Sequence, residues 1–170
     1  MFEFHGLKLK HCNIDNIFMY LPGLQDPALS YKLALMKKEL HCAGLIVVKD
    51  RQLLLAFSNN KQAWYLPGGK VDAGETAVNG LQREVAEELN IHIPLDELQW
   101  YHHISAPAFG ENALQMEQDC FIHTLTQTPV PSSEIGAVKY FSLADYKKEP
   151  QQVPGVLIAF EKLRKDGLVD

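Results

Sequence analysis

Apolar residues recur at intervals of three and four near the middle of the chain, at Val78, Leu81, Val85 and Leu89. This spacing is typical of an amphipathic helix that buries one face against a core. The helix is expected to begin just after Glu75. Its acidic residues should flank the face that packs against the core.

Shorter apolar runs on both sides of this helix predict strands, because turn residues bound them. The predicted strands cover residues 42–48, 53–57, 64–66, 98–104, 115–125 and 137–141. The first two are expected to pair around a charged turn at 49–51. The loop at 105–113 is a candidate substrate lid, and two prolines make 127–133 irregular.

Helices are also predicted outside the strand region. Ser142 should cap a short helix, and residues 153–165 should form a terminal helix with Pro154 in its first turn. Near the start, residues 1–12 alternate weakly, as in an extra strand or hairpin, and 30–40 has helical spacing. That segment could cover a sheet edge or join a homodimer interface, and the sequence leaves both open. We expect an N-terminal extension over 1–40 and one domain over 41–170.

Three glutamates share one face of the central helix, because Glu84, Glu87 and Glu88 stand three and four positions apart. Such like-charged pairs destabilise an isolated helix by roughly 0.2–0.5 kcal/mol each. A divalent cation would neutralise them, and carboxylates suit Mg²⁺ or Mn²⁺. The spacing therefore predicts a metal site for a polyphosphate.

The residues around these acids are expected to support the site. Gly68 and Gly69 form a tight loop before the helix, and the Gly68 carbonyl could complete the metal coordination. Glu75 is expected to accept backbone N–H groups and fix the loop, whereas Arg83 should pair with Glu87 and orient it rather than contact substrate directly. Gly80 is expected to leave room for ions and phosphates.

The segment from Gly69 to Ile91 has the pattern G-x5-E-x7-R-E-V-x-E-E-x-N-I, which resembles the Nudix box. The resemblance covers roughly residues 41–149. It implies an α/β/α sandwich with a mixed sheet. It also implies an enzyme that uses a divalent metal to hydrolyse nucleoside diphosphates linked to another group. Asn90 replaces a glycine and should adopt the left-handed conformation that ends the helix. Residues 57–60 lack the arginine that relatives often carry there.

Within that resemblance, Glu84, Glu87 and Glu88 are the expected metal ligands. Glu84 or a loop acid would accept the proton of the attacking water. The favoured loop acid is Glu134, because some family members carry an additional catalytic carboxylate in that region, and a solvated loop position is an equal alternative. Glu117 is a weaker candidate.

Four further residues are assigned to substrate binding. Trp64, Tyr65 and Phe109 could stack on a nucleobase, although core packing is the commoner fate of such side chains, and Lys70 completes the group. The histidines at 102, 103 and 123 are expected to have structural or surface roles.

Composition narrows the function further. The chain has 170 residues, 46% of them hydrophobic, and a net charge of −5, so we expect one domain without a basic surface for duplex nucleic acid. Three widely spaced cysteines fit neither disulfides nor zinc. With no membrane segment or leader, the default location is the cytoplasm.

These features predict a metal-dependent pyrophosphohydrolase acting on a nucleoside triphosphate or a nucleoside diphosphate derivative. The alternative is a catalytically silent sensor that binds a nucleotide or metabolite on the same fold. The intact trio of glutamates favours the enzyme, because binding alone does not require a full set of metal ligands.

Overall fold

The fold was obtained as a computed structural model, which describes residues 38–170. The strands are β1 (Lys38–Ile46), β2 (Val48–Lys49), β3 (Gln52–Ser58), β4 (Ala63–Tyr65), β5 (Gln99–Pro107), β6 (Leu114–Ile122) and β7 (Ile135–Phe141). The helices are α1 (Ala77–Leu89), α2 (Leu143–Tyr146) and α3 (Pro154–Lys165), with a short 3₁₀ helix at Leu95–Glu97.

The strands form two sheets. In the first, β6 lies between β1 and β5, pairing parallel with β1 and antiparallel with β5. In the second, β3 pairs antiparallel with β2, β4 and β7. The first sheet is therefore mixed, as expected.

Helices cover both sides of the sheets because each sheet alternates its side chains between two faces. On one side, Leu81, Val85 and Leu89 of α1 are fully buried against Ala43 and Leu45 of β1. On the other side, a second core packs against α3, with its members Val156, Ala159, Phe160 and Leu163. The predicted α/β/α architecture is confirmed.

One strand prediction and one helix prediction need correction. The predicted pairing of residues 42–48 with 53–57 is correct only beside the turn, because the chain up to Ile46 lies in the first sheet and only Val48 of that segment lies in β2, which pairs with β3. The predicted helix over 30–40 is wrong at Lys38–Leu40, which lie in β1 opposite β6. Pairing with a distant strand overrides the local helical spacing there. Residues 1–12 and 30–37 lie outside the described residues, and the boundary at residue 40 stays a prediction.

Local predictions around the helix ends are confirmed. Asn90 ends α1 in the left-handed conformation, with φ 53° and ψ 37°. Ser142 caps α2, and Pro154 opens α3.

The candidate lid is shorter than expected, since β5 continues to Pro107. Within residues 38–170, no helix combines the length and apolar character needed to cross a membrane.

Candidate functional site

A cleft of about 460 Å³ opens where the loop before α1 meets the mixed sheet and the start of α3. Its walls come from segments far apart in the chain, including β1, β6, the loop at 66–70 and the loop at 108–111. Two of the predicted acids, Glu84 and Glu88, line it together with Glu134. Glu87 does not line the cleft, and its side chain is 57% exposed.

The glycine loop, residues 66–69, contacts Glu84 and Glu88, the two helix acids that line the cleft. Gly68 donates its N–H to Glu88 Oε2 at 2.9 Å. A Cβ atom at Gly69 would lie 2.6 Å from the Glu84 carboxylate, so only glycine lets that carboxylate approach the loop. Gly68 has φ +119°, and a Cβ there would lie 2.3 Å from the Ala43 carbonyl oxygen.

The carbonyls on either side of Gly68 are tied to β1. Pro67 accepts the N–H of Leu45 at 2.8 Å, and Gly69 accepts that of Ala43 at 2.9 Å. Among residues 38–170, no N–H or side chain donates to the Gly68 carbonyl between them. That oxygen is available to a ligand, which suits its expected role.

Arg83 binds two acids other than the partner expected from the sequence. Its guanidinium donates to Glu75 at 3.0 and 3.2 Å and to Glu84 at 2.8 Å. Glu87, the partner expected from the sequence, is farther away at 3.8 Å. Hydrogen bonds from Arg83 and from the Asp72 N–H lower the pKa of Glu75. The Glu75 carboxylate also lies 3.0 Å from the Cβ position of Gly80, so this carboxylate fills the room expected there for ions.

Glu88 is the most buried acid of the site, at 7% exposure. Burial raises its pKa from 4.5 to about 7, and the negative charges of Glu84, Glu134 and Glu87 act in the same direction. The N–H of Gly68 opposes these effects by stabilising the carboxylate. A cation at the cleft would likewise favour the charged form.

Glu134 reaches the site through a loop anchored to the end of α1. The N–H groups of Val130 and Ser132 donate to the carbonyls of Leu89 and Glu88 at 2.9 and 2.8 Å. The side chains of Ser132 and Ser133 also donate to the Glu87 carbonyl. These bonds satisfy carbonyls that a helix end leaves unpaired, and they bring a loop acid to the cleft.

The substrate residues expected from the sequence are divided between the cleft and the core. Tyr65, Lys70 and Phe109 line the cleft. Trp64 does not, because its ring packs edge-on against Phe57 and Phe141 at 5.2 and 4.9 Å. Adjacent strand residues face opposite sides, which separates Trp64 from Tyr65.

Sequence reasoning missed several polar residues of the cleft, among them Lys61, Glu111 and Gln118. Lys61, in the turn after β3, forms an ion pair with Glu111 at 2.6 Å. Gln118 on β6 is a buried polar residue of the wall. Lys61 directly follows the segment 57–60, which lacks the arginine common in relatives. Its positive charge at that position could therefore have indicated a phosphate contact. Gln118 offered no such signal, because a single glutamine in an apolar run does not reveal which face it occupies.

The candidate histidines lie away from the cleft. His103 contacts Asp119 and Glu117 at 2.9 and 2.8 Å, on the face of β6 opposite Gln118. Hydrogen bonds to these carboxylates raise the pKa of His103. Glu117 belongs to this surface cluster, and His102 and His123 do not line the cleft either.

The donor set suits a hard divalent cation. Glu84 and Glu88 bring carboxylates to the cleft, and the Gly68 carbonyl is a third oxygen donor. Across the described part of the chain, however, no three His, Cys, Asp or Glu side chains already surround one point. Glu87 would have to turn from solvent to complete the predicted trio.

Comparisons with curated proteins give two short matches. A MutT-like protein of Streptomyces ambofaciens is 41% identical over 56 residues, 33% of this chain and 36% of that protein. The human 8-oxo-dGDP phosphatase NUDT18 is 57% identical over 30 residues, 18% of this chain and 9% of that protein. The match therefore spans about a third of the Streptomyces protein and less than a tenth of the human protein.

Structural comparison supports the fold over a longer range. The crystal structure of a MutT NUDIX hydrolase from Burkholderia pseudomallei matches with a TM-score of 0.61 and 23% identity. The match covers 74% of this chain and 98% of that one. At this identity the likeness concerns the fold alone. The family model of the NUDIX domain matches residues 40–159, which is most of the chain. The chain therefore belongs to the NUDIX family.

Proposed function

We propose that this protein hydrolyses a phosphoric anhydride bond in a nucleoside triphosphate or a nucleoside diphosphate derivative. Family membership supports the reaction class. The observation that carries the proposal is the fixed approach of Glu84 and Glu88 to the glycine loop inside a cleft. Arg83, which hydrogen bonds to Glu75 hold in place, offsets the repulsion between these like charges.

Glu84, Glu87 and Glu88, with the Gly68 carbonyl, are the proposed ligands of a divalent cation. When bound, such a cation neutralises phosphate charge and lowers the pKa of a water molecule. Glu88 is the ligand that the cation must keep charged, because burial favours its neutral form. The cation itself is proposed to be Mg²⁺ or Mn²⁺.

Glu134 is the proposed proton acceptor. It is exposed to the cleft and close enough to Glu88 for its charge to raise the pKa of that acid. Glu84 is less suitable for this role because Arg83 donates a hydrogen bond to it at 2.8 Å. A proton acceptor works best with an unencumbered oxygen near the reacting water.

Lys61 and Lys70 are proposed to meet the substrate phosphates, since both line the cleft and carry positive charge. Phe109 lies edge-on to Tyr65 at 6.2 Å, and the pair offers an aromatic surface for the base. The cytoplasmic location and the homodimer stay predictions.

The test is hydrolysis of a nucleotide panel with Mg²⁺ or Mn²⁺ by the wild type and two variants. The panel contains the four ribonucleoside triphosphates, dGTP, 8-oxo-dGTP and 8-oxo-dGDP; the last is included because the human relative is an 8-oxo-dGDP phosphatase. We expect metal-dependent turnover, reduced about 100-fold or more by Glu84→Gln and Glu87→Gln. Melting temperatures should change little.

Glu161→Gln is the matched control, because Glu161 is an exposed acid on α3 outside the cleft. It should keep full activity. Nucleotide binding without turnover under any metal would favour the sensor instead. Turnover that survives both glutamine substitutions would refute the proposed metal ligands.

A further inference from the structure

Gln118 is a buried polar residue whose side chain faces the cleft. It lies in the middle of β6, between Cys42 of β1 and Ile104 of β5, and is only 8% exposed. Within residues 38–170, its side-chain amide makes no hydrogen bond. Unlike the Tyr65 hydroxyl, the amide atoms of Gln118 are not fully buried, so their donor and acceptor are open to a molecule in the cleft.

Two glycines make room for this wall of the cleft. A Cβ atom at Gly44 would lie 2.8 Å from Gln118 Nε2 and 3.0 Å from its Cδ. A Cβ atom at Gly155 would lie 2.7 Å from Met116 Cε and 3.9 Å from Gln118 Oε1. The amide therefore lies over bare backbone on one side and beside the start of α3 on the other.

A second polar group of the cleft lacks a partner as well. The hydroxyl of Tyr65 is buried and forms no hydrogen bond within the described part of the chain. Tyr65 lines the same cleft as Gln118 and Met116. We call these three residues the inner wall.

Leaving the buried Tyr65 hydroxyl unpaired is unfavourable for folding. The surroundings of Gln118 do not require an amide for packing, because Ile104, Cys120 and Met116 are apolar. An apolar side chain of similar length would fill the space of Gln118 equally well. The amide is therefore explained by a ligand that pairs with it.

We propose that Gln118 reads the base of the bound nucleotide, with the Tyr65 hydroxyl as a second contact. A glutamine amide presents a donor beside an acceptor and pairs with a base edge that offers the complementary two groups. Either orientation of the amide provides both groups. The inference rests on the proposed function, since it takes the occupant of the cleft to be a nucleotide.

The rest of the cleft agrees with this placement of the base. The charged groups Glu84, Glu88, Lys61 and Lys70 provide for metal and phosphates, whereas the inner wall contributes no charge. Phe109 and Met116 offer apolar surfaces beside the amide, on which a planar base can pack. Phosphate recognition and base recognition thus use different residues.

The first test compares kcat/KM for ATP, GTP, CTP and UTP with that for purine riboside 5′-triphosphate, whose base has acceptors only. The wild type should favour at least one natural nucleotide about 10–100-fold over the analogue. Gln118→Met should remove most of that preference through KM and leave kcat for the analogue unchanged. An unaltered preference in Gln118→Met, or none in the wild type, would overturn the inference.

Gln115→Met is the matched control. Gln115 lies on the same strand but on the opposite face, where its amide donates to Ser105 Oγ at 3.0 Å. It should leave the base preference unchanged. Gln118→Met should also melt near the wild-type temperature, because the amide makes no hydrogen bond within residues 38–170 and methionine keeps a side chain of similar length. A lower melting temperature with unchanged preference would mean that Gln118 is structural.

A second measurement separates this inference from the proposed function. Calorimetric titration of AMP, GMP and ribose 5-phosphate in EDTA reports base binding without turnover. Tighter binding of a mononucleotide than of ribose 5-phosphate, lost in Gln118→Met, would support the inference even if no nucleotide were hydrolysed. Turnover by the wild type with no such difference would uphold the hydrolase and refute the role of Gln118.

Discussion

The two halves of the cleft differ in how their polar groups are satisfied. At the acidic rim, defined as Glu84, Glu88 and Glu134, Arg83 and Gly68 donate hydrogen bonds to the carboxylates of Glu84 and Glu88. At the inner wall, the polar atoms of Tyr65 and Gln118 have no partner among the described residues. The rim is prepared for its chemistry before substrate arrives, whereas the wall is completed only by a ligand.

The largest effect is expected from Gly68→Ala, which attacks the scaffold of the rim. A Cβ there would meet the Ala43 carbonyl oxygen at 2.3 Å, and φ is +119°. Since backbone cannot move aside easily, we expect unfolding to become easier by roughly 2–4 kcal/mol. Urea denaturation measures the change. Wild-type stability would contradict the tight contact between the glycine loop and β1.

Gly69→Ala should damage the rim without damaging the fold. Its Cβ would lie 2.6 Å from the Glu84 carboxylate, which is the movable end of a side chain. We expect kcat to fall about 10–100-fold for every substrate, because a displaced ligand costs catalysis more than stability. Steady-state kinetics and a melting curve measured together would show this. A large loss of stability with normal kcat would reverse the assignment.

Glu88 should make the metal-free protein less stable as pH rises. Its folded pKa of about 7 exceeds its ordinary value of 4.5, so the folded state binds the proton more tightly. The resulting stabilisation is complete below the ordinary pKa and is lost as pH rises through about 7, by roughly 1–3 kcal/mol.

Denaturation in EDTA between about pH 5 and pH 8 tests this, with Glu88→Gln as the reference because it cannot titrate. As pH rises, the free energy of unfolding of the wild type should fall relative to that of Glu88→Gln. A constant difference across that interval would show that Glu88 titrates normally in the folded protein.

Gly44→Ala is expected to have the smallest effect and to act on the inner wall. The added Cβ would lie 2.8 Å from Gln118 Nε2, again the end of a flexible side chain. We expect base preference to change by about 3–10-fold through KM, with kcat retained. Comparison with Gly69→Ala is then direct, because each alanine displaces one cleft side chain. Equal loss of kcat in both variants would remove the distinction between rim and wall.

Two of the three rim acids, Glu84 and Glu88, were predictable because they lie close together along one helix. The spacing of Glu84, Glu87 and Glu88 puts them on one face, and Asn90 ends the helix in the conformation expected for it. The same local rules were insufficient for Trp64, which is next to cleft-lining Tyr65 but packs between Phe57 and Phe141. Face assignment on a three-residue strand depends on which sheet receives it.

The sequence by itself determined the family, the mixed α/β fold and the acids proposed as metal ligands, because helix periodicity and glycine positions act over a few residues. Only the tertiary structure decided which residues form the inner wall, where we propose that the base binds. The inner wall joins β4 to β6, and its room comes from Gly44 on β1 and Gly155 on α3. Contacts between such distant segments follow from strand pairing and helix packing, which no local spacing encodes.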